Sequence, residues 1–317
     1  MCRESYGLLE EPFALDPDPR FLHMTPTHFE AYFSIMSGIK DKKGIIVITG
    51  EVGTGKTLIL HAILKDLGDR IKTAFIFHPG LSLKDLLKEI LVQLDVPLRK
   101  GEHDLAYFLT AFRGYLNERL ARDEIVAVII DEAQNLDEET LEGIGRFCDL
   151  EAPVGRVLQI LLAGHPALEE KLDSKILRLF KQRTKVHCRI APLDLEEGRR
   201  YIEHRLKVAG RNPTGIFTPY AAYRIVEFAQ GIPRVINLVC ERALQAGSKK
   251  SSPVIGWQIA SEAMQELGYL SPDEVSTLWQ SLSLRKSNKV FRIFLLLLSI
   301  ALFIFSVRQL MAVLLHR

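Results

Sequence analysis

The octapeptide "GEVGTGKT", Gly50 to Thr57, fits the spacing G-x-x-x-x-G-K-[ST]. Those residue types at that spacing suit polyphosphate chemistry. Gly53 and Gly55 let the backbone wrap closely so that consecutive N–H groups point inward, and a helix that follows adds its positive N-terminal end. Lys56 then reaches the β and γ phosphates while the Thr57 hydroxyl holds Mg2+. The candidate nucleotide-binding stretch is thus Gly50, Glu51, Val52, Gly53, Thr54, Gly55, Lys56, Thr57 and Leu58. A second stretch, "IVAVIIDEAQNL", delivers Asp131 at the end of an apolar run about seventy residues later, the place of a Mg2+-coordinating acid. Glu132 directly after it can take a proton from an attacking water or orient it, which separates a hydrolase from a nucleotide-binding switch.

The elements that must hold these groups are legible as hydrophobic periods. "GIIVITG" is a short, wholly apolar, β-branched run ending in Gly, the pattern of a strand buried on both faces. Similar runs recur at 73–77, 125–130 and 157–164. Between them lie the helix-period stretches "KTLILHAILKDL", "SLKDLLKEILVQL" and "DLAYFLTAFRGYLNERLA". Strands alternating with helices imply an α/β fold with a parallel sheet covered on both sides. After Pro192 the strand signal stops, and helices at 195–209, 219–229, 234–247 and 256–267 suggest an all-helical unit. The expected organisation is an N-terminal extension at 1–43, Pro-rich and then helical from about Thr27 to Ile39, a core at 44–192 and a helical domain at 193–270. A Ser-rich linker at 271–289 and an apolar span at 290–315 follow.

The length of 317 residues leaves room for one large domain and a smaller one. Six of the 41 Lys and Arg residues lie from Arg285 onward, where there is no Asp or Glu, leaving 35 basic against 39 acidic residues in the remainder. A mildly acidic body argues against a large sequence-independent nucleic-acid footprint. Cys2, Cys148, Cys188 and Cys240 show neither paired nor metal-ligand spacing and read as reduced cysteines of a cytosolic domain. The start, "MCRESYGLLEEPF", lacks the basic and apolar run of a signal peptide.

Between Arg292 and Arg308 lie fifteen uncharged residues broken only by Ser299 and Ser306. That is roughly 22 Å of helix, short of a hydrocarbon core of about 30 Å, and flanking residues with a snorkelling Arg292 make up the difference. The run is apolar all round, so the reading is one transmembrane helix. Arg285, Lys286, Lys289 and Arg292 precede it while Arg308 and Arg317 follow, which by the positive-inside bias places the main body in the cytoplasm, at the inner membrane.

Taken together, the blocks "YGLLEEPFALDPDPRFL", "THFEA", "GEVGTGKT", "DEAQNL", "LLAGHPALEEKL", "PLDLEEGRRYIEHRLKVAG" and "GIPRVINLVCERAL" make the chain resemble the AAA+ ATPases. More narrowly it is similar to the secretion-pathway protein A group and its relatives from pilus-biogenesis and exosortase loci, over roughly residues 6–267. The resemblance implies a P-loop core with a C-terminal helical lid, ATP and Mg2+ as ligands, and a homo-oligomer. It also implies membrane tethering and an inner-membrane or periplasmic partner in envelope assembly. It assigns Arg234 of "GIPRVIN" as the lid arginine that reports nucleotide, and Arg183 of "KQR" as an arginine finger, with Arg178 a nearby competitor. His165 stands where the family usually has Gln at the γ-phosphate, and Ala167 where it has Glu. His28 and Glu30 match a block whose role is loosely closure over the base. The family usually continues into a periplasmic portion, whereas this sequence stops at Arg317, which puts direct peptidoglycan binding in doubt.

The reading is therefore an ATP-hydrolysing, membrane-anchored ATPase that drives assembly or operation of a secretion, pilus or polysaccharide-export system. Two alternatives stand beside it. One is a DNA-associated ATPase of the transposition-regulator or origin-binding type, which the acidic balance and apolar tail disfavour. The other is a scaffold that binds ATP without turnover, which Glu132 disfavours.

Overall fold

The computed structural model describes residues 2–15, 18–77, 80–99, 101, 104–147, 156–210 and 215–268. Residues 1–263 form one compact unit, and of the second, 264–317, only 264–268 are described. The expected linker at 271–289, the apolar span at 290–315 and Cys148 lie outside the described residues. Among the described residues no helix is long and apolar enough to cross a membrane.

Five parallel strands, β1 (Ile45–Gly50), β2 (Ile71–Ile76), β3 (Ile125–Ile130), β4 (Leu158–Gly164) and β5 (Thr184–Ile190), pair in the order β2-β3-β4-β1-β5. Every residue of β1 and β4 is buried, because helices cover both faces. One face, through Ile45, Val47, Val128, Ile130, Ile160 and Leu162, packs on α3 (Leu83–Gln93), α4 (Leu105–Ala121) and α5 (Glu138–Phe147). The other, through Ile46, Ile48, Ile129, Leu161 and Ile190, packs on α1 (Pro26–Lys40) and α2 (Lys56–Asp66). The α/β expectation and four of the five strands match the sequence reading. The fifth, β5, was not among the expected strands. Its "TKVHCRI" alternates, with Lys185, His187 and Arg189 exposed, since an edge strand offers part of its surface to water.

Short helices α6 (Ala167–Leu172) and α7 (Arg178–Arg183) follow β4, and after β5 the chain is helical: α8 (Leu195–Ala209), α9 (Pro219–Phe228), α10 (Pro233–Lys249) and α11 (Trp257–Gly268). Local signals set these starts. Asp194 and Glu197 form a reciprocal capping box on α8, and Thr218 caps α9 with Pro219 in its first turn. Thr25 followed by Pro26 does the same for α1.

Residues before α1 run as a strap along the helical unit. Leu8 bridges Gly210, and the Leu9 N–H donates to the Ala209 carbonyl at 2.8 Å. Arg205 of α8 is buried beneath the strap, where it donates to the carbonyls of Pro12 and Ala14 and lies 4.6 Å from the Phe21 ring centroid. Phe13 is buried edge-on to Phe217. His23 of the strap stands 5.2 Å from His204 of α8, ring to ring.

Burial holds the imidazoles of His23, His28 and His204 below their ordinary pKa. At His23 the neighbouring His28 and Arg200 act in the same sense and Glu197 opposes; His23, Arg205 and Lys207 reinforce it at His204. Below pH about 6.5 the unfolded chain therefore takes up protons that the folded chain refuses, so stability is lost as pH falls through that range toward the lowered folded values. The urea midpoint should be lower at pH 5.5 than at 7.5, and His204→Asn should flatten that dependence. A midpoint that holds steady or rises on acidification would contradict it.

Candidate functional site

The loop between β1 and α2 is shaped by its glycines. Gly53 and Gly55 take φ of 87° and 103°, left-handed backbone that side chains resist, and a Cβ at Gly53 would stand 2.5 Å from the Arg234 Cβ. The loop carbonyls are satisfied from several elements. Lys56 Nζ donates to Gly50 at 2.7 Å and Glu51 at 3.0 Å, and the Thr54 hydroxyl donates to Glu51 at 2.8 Å. The Arg234 N–H, at the start of α10, donates to Gly53 at 3.3 Å.

His28, buried in the first turn of α1, places Nε2 3.0 Å from the Thr54 carbonyl, with Nδ1 on the Thr25 hydroxyl. A carbonyl can only accept, so Nε2 carries the proton and Nδ1 accepts from Thr25. The ring also stands behind Gly55, where a Cβ would come within 3.2 Å of Nε2. The family resemblance implies only a loose role for His28; the structure gives it a bond to the phosphate loop, while Glu30 is exposed.

Thr57 and Asp131 meet as expected of a metal pair. The Thr57 hydroxyl donates to Asp131 Oδ2 at 2.6 Å, and Oδ1 accepts from the Glu132 N–H at 2.9 Å. Asp131 is fully buried, and burial raises its pKa against the pull of those two bonds; burial likewise lowers Lys56. Two hard oxygen donors side by side, one a carboxylate whose charge burial disfavours, fit a Mg2+ ion. Bound there it would neutralise phosphate charge and polarise phosphoryl oxygens.

Glu132 sits in left-handed backbone, φ 52°, which ends β3 abruptly. Gln134 Nε2 donates to Glu132 Oε2 at 2.6 Å, and Gln134 Oε1 accepts from the His165 N–H at 3.0 Å. His165 Nδ1 accepts from the Ala167 N–H, so Nε2 carries the proton and donates to Glu51 Oε2 at 3.0 Å. Lys171 Nζ pins the turn through the carbonyls of Gln134 and Leu136, both at 2.7 Å. Gln134 and Lys171 were not singled out from sequence. Their only signal was adjacency, Gln134 lying two residues past Glu132 and Lys171 six past His165.

Burial lowers the Arg234 guanidinium from its ordinary value and the Glu132 carboxylate opposes. Lys56, Thr57, Asp131, Glu132, His165 and Arg234 are thus gathered around one loop. Arg183 is held elsewhere in its own chain, donating to the Gly145 carbonyl of α5 at 2.6 Å, while Arg178 is exposed.

An AAA domain model matches residues 39–172. The chain is 34% identical over 281 residues to general secretion pathway protein A of Aeromonas hydrophila, covering 89% of this chain and 50% of that one. An uncharacterized HTH-type transcriptional regulator of Methanocaldococcus jannaschii is 28% identical over 180 residues, 56% of this chain and 42% of its own. The chain thus spans about half the length of the curated relatives it matches. In fold it is similar to Cdc6p of Pyrobaculum aerophilum, TM-score 0.66 at 16% identity, covering 84% of this chain and 74% of that one. The ORC2 protein of Aeropyrum pernix follows at 0.62 and 17%, covering 81% and 71%.

Removing the imidazole strips the buried Thr54 carbonyl of its donor, a cost of about 1–3 kcal/mol. His28→Ala should therefore lower folding stability by that amount and weaken tripolyphosphate binding several-fold in calorimetry, with His28→Gln recovering part of both. Unchanged affinity and stability in His28→Ala would show that the bond does not hold the loop.

Proposed function

The chain belongs to the AAA+ ATPases, in the group of general secretion pathway protein A, and on that premise we propose that it hydrolyses ATP to drive assembly or operation of a cell-envelope secretion, pilus or polysaccharide-export machine. The observation that carries the hydrolase reading is the convergence of Lys56, the Thr57–Asp131 pair and Glu132 on the glycine loop. The loop N–H groups and Lys56 take the phosphates. Glu132 orients a water and accepts its proton as the oxygen attacks the γ phosphorus and the bond to the β–γ bridging oxygen breaks. The products are ADP and inorganic phosphate. Arg234 reports the nucleotide to the helical lid, whose α10 already bonds the loop.

The envelope role is supported by the likeness to general secretion pathway protein A and by the uncharged run 293–307 with its basic N-terminal flank. In this proposal the run tethers the ATPase to the inner membrane with the body in the cytoplasm, where a tether raises the local concentration of subunits. Homo-oligomerisation and an arginine finger supplied in trans, by Arg183 or the exposed Arg178, belong to the same reading. The DNA-associated alternative differs in one readout, since it requires ATP turnover that rises with duplex DNA.

Lys56→Ala should abolish ATP binding, and Glu132→Gln should keep binding while hydrolysis falls by a factor on the order of 10² or more. Unimpaired turnover in Glu132→Gln would remove Glu132 as base.

If Arg183 acts in trans, Arg183→Ala should lose hydrolysis but keep nucleotide affinity, and mixing with Lys56→Ala protein should restore part of the rate. Absence of rescue, with rescue by the same scheme for Arg178→Ala, would transfer the role to Arg178.

Deleting residues 285–317 should release the protein from membranes with near-normal ATPase activity per site at high concentration. Recovery of the full chain in the soluble fraction would refute the tether.

A further inference from the structure

We propose that Gln134 is a positioning residue for hydrolysis, the link through which the end of β4 sets the orientation of the Glu132 carboxylate. The proposal rests on the reading of Glu132 as the base. Three observations carry it. Gln134 uses both ends of its carboxamide at once, donating to Glu132 Oε2 at 2.6 Å and accepting from the His165 N–H at 3.0 Å. A backbone N–H can only donate, so the amide cannot flip, and its NH2 is directed at the carboxylate. Its place is also made for it. Gly164, the last residue of β4, leaves room that a Cβ would take, standing 2.8 Å from Gln134 Oε1, and Lys171 Nζ fixes the Gln134 carbonyl from α6.

Glu132 needs this support because its own backbone gives little. It stands outside β3 in left-handed geometry, on a flexible side chain with many rotamers, and is half-buried. A bond to Oε2 fixes the carboxylate plane and leaves Oε1 for water. The same contact ties the base to the nucleotide-sensing side, since His165 donates through Nε2 to Glu51 of the phosphate loop. Glu51, His165, Gln134 and Glu132 form one continuous path from the phosphate loop to the base. A phosphate that draws the His165 Nε2–H off Glu51 thus acts on the residue whose backbone N–H anchors Gln134.

The test uses the purified full chain. Gln134→Met keeps the length and removes both bonds; Gln134→Glu keeps an acceptor for the His165 N–H and faces Glu132 with a like charge. Either change should lower kcat by about tenfold or more, with ATP KM and ADP affinity within about twofold of wild type. In the Glu132→Gln background the same changes should cost less than about twofold, because a residue that acts through Glu132 has nothing left to position. A kcat for Gln134→Met within about twofold of wild type overturns the proposal. So does a full second loss in the Glu132→Gln background, which marks a general structural role. If Glu132→Gln itself turns over ATP like wild type, the hydrolase reading of Glu132 fails, and the proposal with it, a result distinguishable from the first two. Should Gln134→Met not fold, Gln134→Glu alone completes the cycle.

Discussion

A loop that offers its N–H groups to a polyphosphate must dispose of its carbonyls elsewhere, and that requirement organises this molecule. Each buried backbone acceptor left without a donor costs about as much as a lost hydrogen bond. Here the donors come from three separate parts of the chain. Lys56 of α2 serves Gly50 and Glu51, Arg234 of α10 serves Gly53, and His28 of α1 serves Thr54. The phosphate loop is thus held between the helix before it in sequence, the helix after it, and a helix nearly two hundred residues away.

The strap follows from the same constraint. α1 can hold His28 against the loop only if its start is fixed, and the residues before it are fixed on the helical unit through Arg205, Phe13 and the Leu8–Gly210 bridge. Arg234 approaches the loop from that same unit. The helical unit therefore touches the nucleotide loop twice, directly through α10 and indirectly through the strap and α1. The loop is thereby joined to that unit at two points, Gly53 directly and Thr54 through His28 and the strap.

Much of this was legible in the sequence because it obeys local rules. β1, β3 and β4 are wholly apolar since helices cover both faces, and the loop spacing fixes Lys56 and Thr57 relative to β1. Asp131 could be paired with Thr57 because the chemistry of Mg2+ needs both. What escaped was of another kind. β5 is an edge strand whose exposed Lys185, His187 and Arg189 mask its period. The roles of His28 and Gln134 depend on which distant groups they meet, Thr54 at a separation of 26 residues and His165 at 31, and no periodicity encodes that. For Arg183 it is the family resemblance, not a local period, that suggests a place in a neighbour's site, and in its own chain the guanidinium donates to the Gly145 carbonyl.

The charges of the site complete the argument. Burial lowers Lys56 and raises Asp131, so in each case the environment works against the charged form that phosphate and metal binding require. Lys56 answers by bonding loop carbonyls, and Asp131 by accepting from Thr57 and from the Glu132 N–H, but neither arrangement replaces water fully. A polyphosphate beside Lys56 and a divalent cation beside Asp131 would supply the missing counter-charges, each favouring the charged form of its own partner. Because the polyphosphate and the cation also attract each other, their binding should be mutually reinforcing and should add to folding stability by mass action.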